Sequence, residues 1–218
     1  ALRPMLATAA MRRACTRTLC ASPRVMRPTS QPTLSFDPSA KTAMDKQEPP
    51  APGADFRVVI VGAGNINFGS DEGPWNHSFR LEHKLGPRLK VVALIDPDAE
   101  RARRVLKTKC QSFVLSAYKD TVVYPTFKDY MASVCAETYP HAVWVGSPPA
   151  FRGGTEPGRN LEQLLTAGLP NVPLFIEKPV STGAVDQTFE VAKMLEQNGS
   201  LVSVGYMLRY LKVVQKMK

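Results

Sequence analysis

Arg57-Val58-Val59-Ile60-Val61-Gly62-Ala63-Gly64-Asn65-Ile66-Asn67 is the stretch on which the fold turns. Val58–Val61 is an unbroken run of β-branched apolar residues, which suits a strand covered on both faces better than one with a wet face. It ends in two glycines one residue apart. Glycines placed there permit a tight turn and let the backbone approach a bound group, and a helix start behind them favours an anion. A glycine pair after a strand also serves as an ordinary turn, so the motif alone leaves both readings open.

Working outward, short apolar runs alternate with segments of helical period. The pattern predicts strands at about 57–62, 90–95, 122–124, 142–146, 173–177 and 201–206. It predicts helices between them at about 76–85, 98–111, 127–136, 158–168 and 184–197. The runs RVVIVG, KVVALID, HAVWVG and PLFIEK lack strict alternation, so the expected fold class is α/β, a doubly wound parallel sheet of the Rossmann type. Asp98, Pro125-Thr126 and Asn198-Gly199 supply the expected helix boundaries.

In such a fold Gly62 and Gly64 make the turn at a dinucleotide pyrophosphate, while Asn67 stands where a third glycine is usual. The second strand ends at Asp96, where an acid accepts hydrogen bonds from the adenosine ribose and repels a 2′-phosphate. This favours NAD over NADP. The alternative is that Asp96 or Asp98 caps the following helix. The spacing from Gly64 to Asp96 is longer than the usual roughly 20 residues, and the insertion Phe68–Trp75 accounts for most of the excess.

Three further strand ends carry Val145-Gly146-Ser147-Pro148-Pro149, Phe175-Ile176-Glu177-Lys178-Pro179-Val180 and Val204-Gly205-Tyr206-Met207-Leu208-Arg209-Tyr210. In this order, with helices between, residues 56–218 resemble the glucose-fructose oxidoreductase / inositol dehydrogenase (Gfo/Idh/MocA) family, E-K-P being the most specific element. The resemblance implies that Gly62, Gly64, Asn65 and Ile66 form the pyrophosphate loop, that Asp96 is the ribose acid, and that Ser147-Pro148-Pro149 lies beside the nicotinamide ribose. It places Glu177 and Lys178 against the cofactor and makes Lys178 the catalytic residue, assisting proton transfer at the substrate oxygen. Arg209 falls in the segment leading toward a second domain. A partly desolvated ammonium near a developing alkoxide stabilises charge and can exchange a proton, which supports that role for Lys178. The alternative is a solvated charge at a strand end.

The implied activity is NAD(P)-dependent hydride transfer between nicotinamide and a hydroxyl or carbonyl carbon of a sugar, polyol or cyclic diol. The partner would be a small-molecule substrate, and the full-length parent is expected to be a homo-oligomer. A non-catalytic dinucleotide-binding regulatory module is the alternative, since a yeast repressor shares this fold. A methyltransferase would share the glycine loop and the acid but leaves E-K-P without a reason. His77 is read as a cofactor contact or an early helix residue, and His141 as structural. Family members carry a C-terminal α+β domain that walls the substrate site, and it should begin near Lys218. This chain is therefore expected to be a fragment with an exposed apolar face.

Charge and composition narrow the classes. Residues 1–50 hold eight Lys/Arg against three acids, and residues 51–218 hold 20 against 16, so the net charge of +9 gives no reason to expect nucleic-acid binding. With 44% hydrophobic residues and no apolar run near about 18, a soluble chain is expected. Cys15, Cys20, Cys110 and Cys135 show no C-x-x-C pair and read as free thiols. His77 and His83 are six apart, not the three or four of a shared helix face, so no metal is expected.

Residues 1–54 read as an extension and linker, 55–206 as the dinucleotide-binding domain, and 207–218 as the start of a second domain. Ala1–Phe36 contains six arginines and no acid, the composition of a mitochondrial transit peptide, while a plain disordered extension would leave the protein cytoplasmic. Cytoplasmic is the expectation, mitochondrial the alternative. Gln47–Gly53 (QEPPAPG) is the Pro-rich linker.

Overall fold

The computed structural model describes residues 50–70 and 75–217; the arginine-rich extension, with Cys15 and Cys20, lies outside the described residues. Six strands, β1 (Phe56–Val61), β2 (Leu89–Ile95), β3 (Val122–Tyr124), β4 (Ala142–Val145), β5 (Leu174–Ile176) and β6 (Val202–Val204), form one sheet in the order β3-β2-β1-β4-β5-β6. Every pairing is parallel. The order reverses between β1 and β4, and a doubly wound sheet opens a crevice beyond the carboxyl ends of its strands at that point.

β1 explains why the sheet is covered on both sides. Val58 and Ile60 pack into one core with Leu89, Leu94 and Ala102, while Val59 and Val61 pack into a second with Val143, Leu165 and Ile176. Side chains alternate between the two faces of a strand, so a run with no polar position requires a layer on each. Helices supply those layers: α1 (Asn65–Phe68), α2 (His77–Leu85), α3 (Ala99–Cys110), α4 (Leu115–Tyr118), α5 (Phe127–Met131), α6 (Leu161–Gly168), α7 (Val185–Gln197) and α8 (Lys212–Lys216).

Helix starts follow local chemistry. Asn76, Asp98 and Thr126 accept the N–H groups of Phe79, Arg101 and Asp129 at 2.8, 2.9 and 3.2 Å, satisfying donors that the first helical turn leaves free. α5 ends at Met131 instead of running to 136. There the Ser133 hydroxyl bonds back to Tyr130 O at 3.0 Å, and Thr138 Oγ1 accepts Cys135 N–H at 3.0 Å, giving the backbone another partner. α6 begins at Leu161, later than the expected 158, because Gly158 (φ +83°) turns the chain first. The short helices α1 and α4 were not expected from the pattern; neither is long enough to display a helical period.

Candidate active site

At the end of β1, Gly62 has φ +96°, and a Cβ there would stand 3.0 Å from Ser147 N and 3.1 Å from Gly146 C. The glycine is needed both for its dihedral and because the backbone just after β4 passes so close. Gly64 has ordinary dihedrals and nothing within 4 Å of where its Cβ would be. It faces open space just before Asn65 and Ile66, whose N–H groups open α1 without intrahelical acceptors. The loop therefore presents bare backbone to the crevice, which suits a pyrophosphate.

Asn67 does not replace a packing glycine passively. It is fully buried, its Nδ2 donates to Gly62 O at 2.7 Å and Val61 O at 3.1 Å, and a Cβ on Gly146 would overlap its amide, 2.3 Å from Oδ1. The side chain thus clamps the end of β1 and fills the gap left by the glycine that follows β4.

Asp96 is buried, and its carboxylate is already engaged. Oδ2 accepts Ala63 N–H at 2.6 Å; Oδ1 accepts Asp98 N–H and an Arg101 Nη2–H, each at 2.8 Å. Asp98, not Asp96, caps α3. The acid ties the glycine loop to the following helix.

Beyond β4, Ser147 Oγ is buried with no hydrogen-bond partner among the described residues, an orphaned polar atom. The fully buried Arg152 then joins two loops: Nε donates to Ser147 O at 3.1 Å, and Nη1 to Pro179 O at 2.6 Å and Val180 O at 3.0 Å. Burial pulls its pKa below the usual guanidinium range, against the opposing charges of Glu162 and Glu177. Glu162 is buried as well, its carboxyl pushed up by burial while it accepts Gly153 N–H at 2.8 Å.

At the end of β5, Glu177 N–H bonds to Val145 O at 2.9 Å, and the buried Glu177 carboxylate accepts the N–H of Lys178 in a short hydrogen bond. Gly205 makes room, since a Cβ there would come within 2.5 Å of Glu177 Oε2. His77 is buried beside this carboxylate, Nε2 to Oε1 3.6 Å, and packs on the rings of Phe175 and Trp144. Burial holds its pKa below the usual histidine range although Glu177 pulls the other way. Lys178 is exposed, and its bond to Pro179 is cis. Pro148 is exposed as well and leads into the turn Pro149–Phe151.

The ends of β1, β2, β4 and β5 thus bring Gly62, Gly64, Asp96, Ser147 and Glu177 to one edge of the sheet. Arg209 stands apart in the exposed turn Met207–Tyr210, its guanidinium 5.8 Å from the Tyr210 ring centre. His141 is structural: Nδ1 accepts Arg57 N–H at 2.9 Å where β4 begins. A groove of about 520 Å³ lined by Phe56, Phe79, Leu81 and Trp144 involves none of these crevice residues and is almost wholly apolar. Sequence reasoning missed Arg152, Arg101 and Glu162, whose partners are distant or lie one helical turn away and leave no motif. Among the described residues no three His, Cys, Asp or Glu side chains cluster as metal ligands, and no helix is long and apolar enough to cross a membrane.

Residues 56–206 match the model of the oxidoreductase family with an NAD-binding Rossmann fold, Gfo/Idh/MocA. The chain belongs to that family. Two uncharacterized Schizosaccharomyces pombe proteins are each 44% identical to this Gfo/Idh/MocA member, over 168 and 175 residues, covering 76% and 79% of the chain. The chain spans only 44% and 43% of their lengths. The fold is similar to that of the WlbA dehydrogenase from Chromobacterium violaceum, solved with NADH and UDP-GlcNAcA, with TM-score 0.53, 17% identity, and 78% of this chain and 41% of that one covered. It is similarly close to Gal80p from Saccharomyces cerevisiae, with TM-score 0.53, 17% identity, and 75% and 37% covered.

Proposed function

We propose that this chain is the cofactor-binding half of an NAD(H)-dependent oxidoreductase that acts on a hydroxyl or carbonyl carbon of a sugar, polyol or cyclic diol. One observation carries the reading: the bare glycine loop, the orphaned Ser147 hydroxyl and the Glu177-Lys178 turn meet at the switch point of the sheet. Nicotinamide, when bound, supplies or accepts the hydride. Gly62, Gly64, Asn65 and Ile66 would hold the pyrophosphate, Asp96 would order that loop from behind, and Ser147-Pro148 would border the nicotinamide ribose.

Glu177 holds the Lys178 backbone, so the lysine stem leaves the sheet from a fixed point. From there Nζ is free to donate a proton to, or take one from, the substrate oxygen. Arg152 keeps the Ser147 and Pro179 loops at a fixed separation, which is the positioning such a transfer requires. The NADH and UDP-GlcNAcA held by WlbA motivate the substrate class.

The test is calorimetric titration of the 218-residue chain with NAD and NADH, beside Asp96→Ala. Micromolar binding weakened at least about tenfold by the substitution would support the reading. A folded chain that binds neither would favour an interaction protein instead, and binding without turnover by the full-length parent a dinucleotide-binding regulatory module. The likeness to Gal80p and the exposed apolar side chains of Leu208 and Val213 give that second reading its support.

A further inference from the structure

The E-K-P turn is held by a carboxylate whose two oxygens face different neighbours. Glu177 is 6% exposed, its Oε2 accepts the Lys178 N–H, and a Cβ on Gly205 would come within 2.5 Å of that oxygen, so this side of the carboxylate is walled in. On the other side, Oε1 lies 3.6 Å from Nε2 of His77, a residue 4% exposed. Among the described residues that nitrogen is buried with no hydrogen-bond partner.

Packing alone gives no reason for an imidazole here. The ring meets Phe175 edge-on at 5.1 Å between centres and Trp144 at 5.5 Å, and a phenyl ring would fill that space without burying an idle nitrogen. Burial and the charge of Arg80 favour the neutral imidazole against the pull of Glu177, and a neutral ring still carries one N–H to donate. Arg152 is the other charge that acts on Glu177, from the loop after β4. A shift of about half an ångström would bring Nε2 into hydrogen-bond range of Oε1.

We infer that His77 is a positioning residue for Lys178: by holding Oε1 it keeps the Glu177 carboxylate turned so that Oε2 grips the Lys178 N–H, and so sets the point from which the lysine reaches the substrate oxygen. The inference rests on the dinucleotide reading above, which gives Lys178 its proton transfer. His77 is the first residue of α2, directly after the cap Asn76, so the same contact ties the helix that follows the glycine loop to the turn that carries the lysine. A proton donor held in this way starts from a fixed geometry.

The test compares the 218-residue chain with His77→Phe and His77→Gln. Phenylalanine keeps a ring against Trp144 and Phe175 but has no nitrogen, whereas the glutamine amide can place an N–H near the position of Nε2. Hydrogen exchange of the Lys178 amide, read by NMR, reports the grip; the amides of Val143 and Ile176 report the core, and titration with NADH reports the dinucleotide site. We expect His77→Phe to lower the protection of the Lys178 amide at least about tenfold with the two core amides unchanged, and His77→Gln to stay within about threefold of the parent.

Lys178 protection that is unchanged in His77→Phe, or lost equally in His77→Gln, overturns the inference, and NADH binding by the same proteins leaves the dinucleotide reading standing. Loss of protection at all three amides in His77→Phe means that the ring supports the fold as a whole, and overturns it too. Should the folded parent bind no NADH, the dinucleotide reading fails and takes this inference with it.

Discussion

Asp96 Oδ2 accepts the N–H of Ala63 at 2.6 Å across 33 residues of sequence. The bond locks the middle of the glycine loop to the end of the neighbouring strand. Asp96→Ala leaves the Ala63 N–H buried without a partner and frees Arg101, so we expect a loss of about 2–3 kcal/mol in urea unfolding. Asp96→Asn, which keeps one acceptor oxygen but not the charge, should lose less. Equal stability of all three proteins would remove this bond from the account.

The two glycines of the loop should separate stability from binding. Gly62→Ala meets the Gly146-Ser147 backbone at a positive φ and should cost about 1–3 kcal/mol. Gly64→Ala meets nothing and should stay within about 0.5 kcal/mol of the parent. Its methyl would project into the space proposed for the pyrophosphate, so NAD affinity should still fall by about tenfold or more. Thermal melts and NAD titration of both variants check this, and unimpaired binding by Gly64→Ala would place the pyrophosphate elsewhere.

Among the described residues Arg152 is the largest fully buried side chain, and it bonds to three backbone carbonyls. Arg152→Met leaves these carbonyls without their donor and removes the cation near the buried Glu162, and should destabilise by about 2–4 kcal/mol. The double variant Arg152→Met/Glu162→Gln should recover part of that loss. Chemical denaturation of the two variants measures it, and no recovery would mean that the carbonyl contacts alone account for the effect.

Two histidines predict the response to acid. Burial is the chief cause that holds both His77 and His141 below the usual histidine pKa when folded, with Arg57 adding to the effect at His141. The unfolded chain therefore binds protons at a pH where the folded chain does not, so stability falls as pH drops below about 6.5. Glu162 acts in the opposite sense at lower pH, because its raised pKa lets the folded state take up a proton first. We expect a lower Tm at pH 5.5 than at 7.5. His141→Asn places an untitratable acceptor near the position of Nδ1 and should shrink that difference. A Tm that rises on acidification would contradict the sign.

Near Lys218 the chain exposes Leu208 (72%), Val213 (62%) and Met217 (81%). Apolar side chains gathered in one segment favour association. Sedimentation of the 218-residue chain should show concentration-dependent self-association, reduced by Leu208→Asp/Val213→Asp. A monomer at high concentration that binds no hydrophobic dye would count against it.

All six strands could be read along the chain because each is a short apolar run bounded by turn residues, and the caps at Asp98 and Thr126 because a cap and its target lie three residues apart. The family could be read for the same reason: glycine loop, S-P-P and E-K-P are contiguous. Helix ends were less legible, as at α5, where the Ser133 and Thr138 hydroxyls compete for the backbone. Only the tertiary structure decided what the polar residues at the crevice do. Asp96 bonds to Ala63, Asp98 and Arg101, His77 is pressed against Glu177, and Arg152 is buried between two loops. Those outcomes depend on which distant segments the parallel sheet brings side by side. A lone Arg or His in sequence carries no mark of whether water or a buried carboxylate will face it.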